Sequence, residues 1–287
     1  MVNISFAISS KFPTVDFEAL RAGAIEAIAA LAGRSLLDPP SADELRRSLT
    51  SSDQPAVVRG DPSSGVVATV TDGVQGFVRF LAVDPTQRSR GLGRALLAAA
   101  EADLRDAGAT SVTVGADAPY YLWPGIDTRE LAAICLVERL HYRRADVHLN
   151  MDVELATIPP DPGGWRVAGH DDRDAVAEWA TEHWTFWRAE MLRASDQDGL
   201  VLAEDADGIT AVCAYDVNRA GFVGPVAVRP DRLGRGDGRA PLLGALHRLR
   251  ASGRTQAEIA WVSPVVPYAR VGATMGRSFL VYRKDLA

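Results

Sequence analysis

The sequence predicts a mixed α/β fold in two tandem copies, each a mixed, mostly antiparallel sheet flanked by helices. The first observation is an internal repeat. Leu81-Ala-Val-Asp-Pro85 returns as Val226-Ala-Val-Arg-Pro230, and Gly91-Leu-Gly-Arg-Ala95 as Gly236-Asp-Gly-Arg-Ala240. Both pairs are displaced by 145 positions without a gap, and 13 of the 28 positions in 81–108 are identical at that offset. A spacing of half the 287-residue chain marks a duplicated domain, since solenoid periods run to roughly 20–50 residues. The second observation is the order of elements within a copy: β-rich runs with hairpin spacing, then strand, glycine loop, helix and strand. The third is composition, 47% apolar and 24% charged, which is globular and has no apolar run long enough to span a bilayer.

In chain order, residues 15–33 read as a helix ended by Gly33. Ser41 and Glu44 have the spacing of a capping box, in which each side chain satisfies the other's backbone N–H. Three β-rich runs follow (56–59, 65–71 and 76–83), the last two joined by Asp72-Gly-Val-Gln75 as a hairpin. Leu92, Leu96 and Ala99 give the apolar stripe of a helix over 91–107. A strand at 111–114, a helix near 128–139 and a strand around 144–153 complete the copy. The Pro-rich stretch Ile158-Pro-Pro-Asp-Pro162 reads as a linker, dividing the chain into domains 1–157 and 164–287 around residues 158–163. The second copy repeats the order: strand 165–168, helices within 171–194, strands 199–204, 209–216 and 221–228, helix 236–252, and strands 256–262 and 278–284.

Charge and cysteine usage narrow the function. The net charge is −6, so the basic excess of a nucleic-acid binder is missing. Of 31 basic side chains only Lys11 and Lys284 are lysine, a bias that reads as genome composition. The N-terminus has no signal-peptide pattern, and Cys135 and Cys213 form no metal-ligand spacing. The expectation is a cytoplasmic protein with no membrane segment, no metal and reduced thiols, both cysteines being small buried hydrophobes. Oligomeric state is not legible.

The run Val83-Asp-Pro-Thr-Gln-Arg-Ser-Arg-Gly-Leu-Gly-Arg-Ala-Leu96 joins an apolar strand to an amphipathic helix. Its glycines allow close approach to the backbone, and the helix start offers unpaired N–H groups and a positive dipole end. With Arg88, Arg90 and Arg94 around it, this reads as a site for a phosphate or pyrophosphate, the alternative being a glycine-rich helix entry with solvated arginines. A Walker loop is excluded because the chain has no Gly-Lys pair. The dinucleotide fingerprint fits poorly, because Gly91-Leu-Gly-Arg-Ala-Leu96 lacks its third glycine and starts too far from the strand.

Leu81–Leu97 closely resembles the acetyl-CoA-binding motif of the GNAT (Gcn5-related N-acetyltransferase) superfamily. An apolar-x-Val strand end is followed by [Gln/Arg]-x-x-Gly-x-[Gly/Ala], matched here by Arg88-Ser-Arg-Gly91-Leu-Gly93. The resemblance covers residues 40–155, and the repeat extends it to a tandem protein. It implies acetyl-CoA as acyl donor, with backbone groups of Leu81, Ala82 and Val83 bonding the pantetheine arm. Arg88, Ser89, Arg90, Gly91, Leu92, Gly93 and Arg94 are expected to wrap the pyrophosphate. An amide near Val83 is expected to stabilise the oxyanion as an amine of a small molecule attacks the thioester directly.

The copies depart from the family pattern in complementary ways. Val137 stands where the first copy should carry a tyrosine acid, and Phe77-Val-Arg-Phe80 lacks the glutamate many members use as base. The second copy keeps Tyr268, but its loop, Leu233-Gly-Arg-Gly-Asp-Gly238, puts Leu233 at the [Gln/Arg] position and Asp237 where pyrophosphate should lie. The expectation is therefore that the first copy binds acetyl-CoA and the second is degenerate. Tyr120 or Tyr121, in the aromatic turn Tyr120–Ile126, could replace the missing acid, and Trp123 could line the acceptor pocket. Asp127 and Glu130 read as solvated helix-start acids, His141 as structural, and Trp179, His183 and Trp187 as one buried helical face. Two other readings remain: a non-catalytic acyl-CoA-binding or regulatory protein, and catalysis confined to the second copy.

Overall fold

Residues 13–15 and 23–286 are described by a computed structural model of the chain. Residues 16–22 of the expected first helix, and Lys11, lie outside them.

The chain forms two compact units: residues 1–148 with 279–287, and residues 149–278. Unit 1 contains β1 (Thr14–Val15), α1 (Ile25–Ser35), α2 (Ala42–Leu49), β2 (Val57–Asp61), β3 (Gly65–Thr71) and β4 (Gln75–Val83). It continues with α3 (Leu92–Asp106), β5 (Ser111–Val114), β6 (Ile126–Asp127) and α4 (Leu131–Arg139). The Ser41–Glu44 capping box forms as its spacing predicts. Strands β1 to β4 pair antiparallel in order, and β4 pairs parallel with β5. Val67 and Val78 face a core with Leu96, Leu97 and Leu104 of α3, while Val66, Ala68, Phe80 and Ala82 face Ile25, Ile28 and Leu31 of α1. With helices on both faces, β3 reads as a continuous apolar run, Gly-Val-Val-Ala-Thr-Val-Thr.

One irregularity in this sheet positions the site. Ala68 pairs with Phe80 but Thr69 pairs with Val78, so Arg79 is an extra residue in β4. A bulge of this kind shifts the side-chain alternation, which is why Val78 and Leu81, three apart, serve the same core. Pairing with β5 ends at Val78↔Val114, leaving the β4 edge open from Arg79 to Val83.

Unit 2 holds β8 (Arg166–Val167), α5 (Arg173–His183), α6 (Arg188–Asp196), β9 (Leu200–Asp205), β10 (Gly208–Tyr215) and β11 (Phe222–Val228). Then come α7 (Arg239–Ala251), β12 (Gln256–Ile259) and α8 (Val266–Ala269). Its β11–β12 pairing ends at Val223↔Ile259, 145 positions after Val78↔Val114.

The compact units differ from the halves 1–157 and 164–287 read from the repeat. Strand β7 (Arg143–Glu154) gives residues 149–154 to unit 2, where Met151 to Glu154 pair with β12. Strand β13 (Thr274–Asp285) gives residues 279–285 to unit 1, where they pair with β5 and β6. Each sheet is thus completed by the strand that the other repeat's sequence encodes. The Pro-rich stretch 158–163 lies within unit 2: Ile158 is buried in its core, and Pro159 O bonds His247 Nε2 at 3.0 Å.

Two further expectations change. Trp179, His183 and Trp187 do not share one helix, because α5 stops at His183 and Trp184 leaves helical geometry (φ −144°, ψ 48°). Trp179 is buried in the unit 2 core with α6. Asp127 is buried and chelated by the Arg129 guanidinium at 2.7 Å and its N–H at 2.9 Å, so it is not a solvated acid.

Candidate active site

A cleft of about 910 Å³ opens in unit 1 along the free edge of β4. Its walls include Leu81, Ala82, Val83, Arg88, Ser89, Gly91, Gly93 and Arg94. Eight of the ten residues that the resemblance implied therefore meet in one wall. Arg90 is an exposed loop residue, and Leu92 packs toward the core.

The register determines which backbone groups the cleft receives. Asp84 N–H donates to Ser64 O at 2.8 Å, so Asp84 and Ala82 turn their amides and carbonyls toward β3. Strand alternation gives the N–H and C=O of Leu81 and Val83 to the open edge. Of the three backbone contacts expected, the Ala82 one is thus directed away. Arg88 Nε takes part of this edge, donating to Val83 O at 3.3 Å, and its Nη2 donates to Ser35 O.

The loop that follows is built for close approach. Gly91 caps α3 at φ 87°, with nothing within 4 Å of where its Cβ would lie. A Cβ on Gly93 would stand 2.9 Å from Leu136 Cδ2, so glycine is needed for α3 and α4 to meet under the cleft. Ala95 N–H bonds back to Gly91 O, and the amides before it form the unpaired start of the helix. Among the described residues no carboxylate pairs with Arg88, Arg90 or Arg94. These observations fit the phosphates and arm of an acyl-CoA: uncompensated cations, helix-start amides and an unpaired strand edge adjoin one another. Asp84, just before the loop, is held at about 2 by the Thr86 hydroxyl and N–H and by Arg34, 2.6 Å away.

The second copy keeps only part of this: Leu233 stands 145 positions after Arg88, while Arg235 and Arg239, 145 after Arg90 and Arg94, have no carboxylate partner among the described residues. Its Arg232 is paired with Asp205 and lies 3.9 Å from Asp237, while Arg229 meets Asp231 at 2.8 Å. Arg229 N–H donates to Thr210 O, so Val228 faces the open edge as Val83 does, but there Trp184 Nε1 donates to Val228 O at 3.0 Å.

The tyrosines are placed very differently. Tyr120 is buried, donates its hydroxyl to Asp53 and stacks under Arg79, whose guanidinium lies 5.2 Å from the ring. Arg79 also pairs with buried Asp117 and donates to Ser48 O at 2.6 Å, so the bulge carries a structural cation. Tyr121 is buried in the same turn, and Trp123 Nε1 is tied to Asp38 at 3.0 Å. Neither Tyr120 nor Tyr121 lines the cleft. Tyr268 packs in the unit 2 core with Cys213, and burial pushes its hydroxyl up to about 12.

Four functional side chains of the cleft wall were not expected there from the sequence. Cys135 was expected to be buried but is exposed on α4, in the cleft wall; Cys213 is buried as expected. Glu130 is partly buried, receives Leu37 N–H on Oε1 at 2.7 Å, and among the described residues is the one carboxylate lining the cleft. Lys284 reaches the cleft from the far end of the sequence, which no local pattern signals. His141 adopts φ 64° in the place of the family's usual glycine and also lines the cleft.

Comparison with known proteins agrees with this geometry. A family model described as Acetyltransferase (GNAT) family matches residues 50–120. The mycothiol acetyltransferase of Geodermatophilus obscurus is 30% identical over 265 residues, covering 77% of this chain and 82% of its own. Among solved structures, a tandem GNAT protein from the clavulanic acid biosynthesis pathway matches with TM-score 0.67 and 16% identity, covering 96% of this chain and 98% of its own. A GCN5-related glucosamine N-acetyltransferase region of a fungal multi-domain GH3 β-N-acetylglucosaminidase matches with TM-score 0.74 and 19% identity over 95% of this chain, which spans only 38% of that protein. At those identities the structures speak for the fold, and the mycothiol acetyltransferase for the family. With the strand opening at Val78 and the glycine loop beyond it, the chain belongs to the GNAT family and is an N-acetyltransferase.

Proposed function

We propose that the chain transfers an acetyl group from acetyl-CoA, held by the first repeat's loop, to the amine of a small molecule. The observation that carries this is the contrast between the two loops: Arg88 lines the cleft without a carboxylate partner where the second copy has Leu233, and the Val83 N–H lies on an open edge where Trp184 covers Val228 in the second copy. Acetyl-CoA supplies an activated acyl carbon in a thioester. Arg88, Arg94 and the helix-start amides bind its phosphates, and the open edge at Leu81 and Val83 aligns the arm. The Val83 N–H stabilises negative charge on the carbonyl oxygen; one such donor contributes about 3–4 kcal/mol to the barrier when preorganised.

The amine nitrogen forms the new C–N bond as the C–S bond breaks. One proton leaves the nitrogen and one reaches the departing sulfur. We assign acceptance of the amine proton to Glu130, whose Oε1 is fixed by Leu37 N–H. Tyr120 is committed to Asp53, Tyr268 packs in the unit 2 core and Tyr121 is buried outside the cleft, so no tyrosine is assigned to protonate the sulfur. The similar protein is named for mycothiol, so amines of that class head the acceptor panel.

Calorimetry of acetyl-CoA on wild type, Gly91→Glu and Gly236→Glu tests the binding assignment. Loss in Gly91→Glu alone supports it; loss in Gly236→Glu alone, or equal loss in both, overturns it. Free-thiol release across an amine panel tests the transfer, and activity should persist in Tyr121→Phe, whose loss of turnover would return that residue to the mechanism.

A further inference from the structure

Residues 34–38, where α1 ends and the chain leaves it, bind a different part of the cleft surround at each position. Arg34 Nε donates to Asp84 Oδ2 at 2.6 Å, and its Nη2 to Pro62 O at 3.0 Å and Ser63 O at 3.3 Å. One guanidinium thus ties the last turn of α1 to the end of β4 and to the turn between β2 and β3. Ser35 O receives Arg88 Nη2 from the glycine loop. Leu36 lines the cleft in extended geometry (φ −114°, ψ 148°), its N–H capping the helix on Ala32 O at 2.9 Å. Leu37 N–H donates to Glu130 Oε1 at 2.7 Å, and Asp38 Oδ2 receives Trp123 Nε1 at 3.0 Å.

Among the described residues, Leu37 N–H is the only hydrogen-bond donor to the Glu130 carboxylate, so Oε2 keeps its lone pairs for a ligand. The last turn of a helix lacks intrahelical partners for its carbonyls and frays unless something holds it. Ile25, Ile28, Leu31 and Ala32 bury α1 against the sheet without help from Arg34, whereas the direction in which the chain leaves the helix is set by these polar bonds. Asp84 directly follows Val83, whose N–H meets the carbonyl oxygen in the reading above. A path of bonds through Asp84, Arg34 and Leu37 therefore joins the oxyanion donor to Glu130. Resting on the assignment of Glu130 as proton acceptor, we infer that Arg34 is a positioning residue for acetyl transfer. By pinning the exit of α1 to Asp84 it fixes the Leu37 N–H, and through it the Glu130 carboxylate, against the strand end that carries Val83. Arg34 does not line the cleft, so it acts only through these bonds.

The test is steady-state kinetics and acetyl-CoA calorimetry on the full chain, for Arg34→Met, Arg34→Lys, Glu130→Gln and the Arg34→Met/Glu130→Gln double variant. A displaced base should lower kcat about tenfold in Arg34→Met and leave the acetyl-CoA Kd within about twofold. Arg34→Lys, which keeps a positive charge beside Asp84, should recover part of that loss. In the Glu130→Gln background the Arg34→Met change should lower kcat by less than about twofold further, because residues that act through one another are not additive. A purely structural role for the Arg34–Asp84 pair would act equally with or without Glu130. A second tenfold loss in the double variant therefore overturns the inference, as does full kcat in Arg34→Met or a matching loss of acetyl-CoA affinity. Should Arg34→Met unfold, Asp84→Asn removes the same charge pair while keeping an oxygen for Thr86, and carries the same expectations. Full activity in Glu130→Gln refutes instead the proton-acceptor assignment itself.

Discussion

Removing the Arg88 side-chain charge separates the two loops most directly. In Arg88→Met the chain keeps its length and apolar stem but loses the guanidinium that donates to Val83 O and Ser35 O at the cleft wall. A guanidinium and a phosphate oxygen about 4 Å apart attract by about 4 kcal/mol at the effective dielectric of a protein surface. Arg88 is exposed, so solvent and side-chain ordering reduce this to about 1.5 kcal/mol, the low end for a charge-assisted hydrogen bond. The dissociation constant of acetyl-CoA should therefore rise about tenfold. Arg232→Met, at the neighbouring position of the second loop, removes a cation already paired with Asp205, and should leave binding within about twofold. Titration calorimetry in low salt and again in 1 M salt, where the screening length falls to about 3 Å, provides the control, because the Arg88 effect should shrink in salt. A tenfold loss in Arg232→Met, or none in Arg88→Met with the melting temperature unchanged, would refute the argument that uncompensated charge selects the first loop.

Three further outcomes follow from the same structure. Iodoacetamide should modify one thiol per native chain: Cys135 is exposed in the cleft, while Cys213 is buried and its thiol is pushed up by desolvation. Saturating acetyl-CoA should slow that reaction, and mass spectrometry showing unprotected Cys135 would place the ligand elsewhere. Asp84, lowered from 3.8 to about 2 by its hydrogen bonds with Thr86 and Arg34, adds stability above pH 4 that is lost as the pH falls toward 2. Asp84→Asn should lack that part of the acid dependence in urea unfolding, and identical pH profiles would contradict it. A chain cut to residues 1–157 should not give a stable unit 1, because it loses the β5 partner strand together with buried Phe279, Tyr282 and Leu286. Each such side chain contributes about 1.5–3 kcal/mol, against about 5–15 kcal/mol for a whole domain. Cooperative unfolding of that fragment in solution would show the exchanged strand to be dispensable.

Local signals in the sequence were reliable where the physics is local. The capping box at Ser41 and Glu44 needs only one helical turn, and the Gly91 cap needs only the left-handed backbone that glycine permits. The hairpin of β3 and β4 and the loop beyond it were legible for the same reason, as was the loss of charge balance at Asp237. The helical stripe through Trp187 failed because Trp184 gives up helical geometry for a hydrogen bond to Val228, a partner 44 residues away.

By itself, the sequence determined that the chain is a duplicated α/β protein and that its first copy joins a strand to a helix through a glycine loop, because periodicity, glycine spacing and the 145-residue offset are properties of the chain alone. Only the tertiary structure decided which strand closes each sheet, since strand pairing is set by edges and not by neighbours in sequence. The same long-range pairing brings Lys284 to Glu101, exposes Cys135, turns the Ala82 amide toward β3 and commits Tyr120 to Asp53. A side chain's role depends on what faces it across the fold: Tyr120 and Asp53 lie 67 positions apart, and Lys284 and Glu101 183.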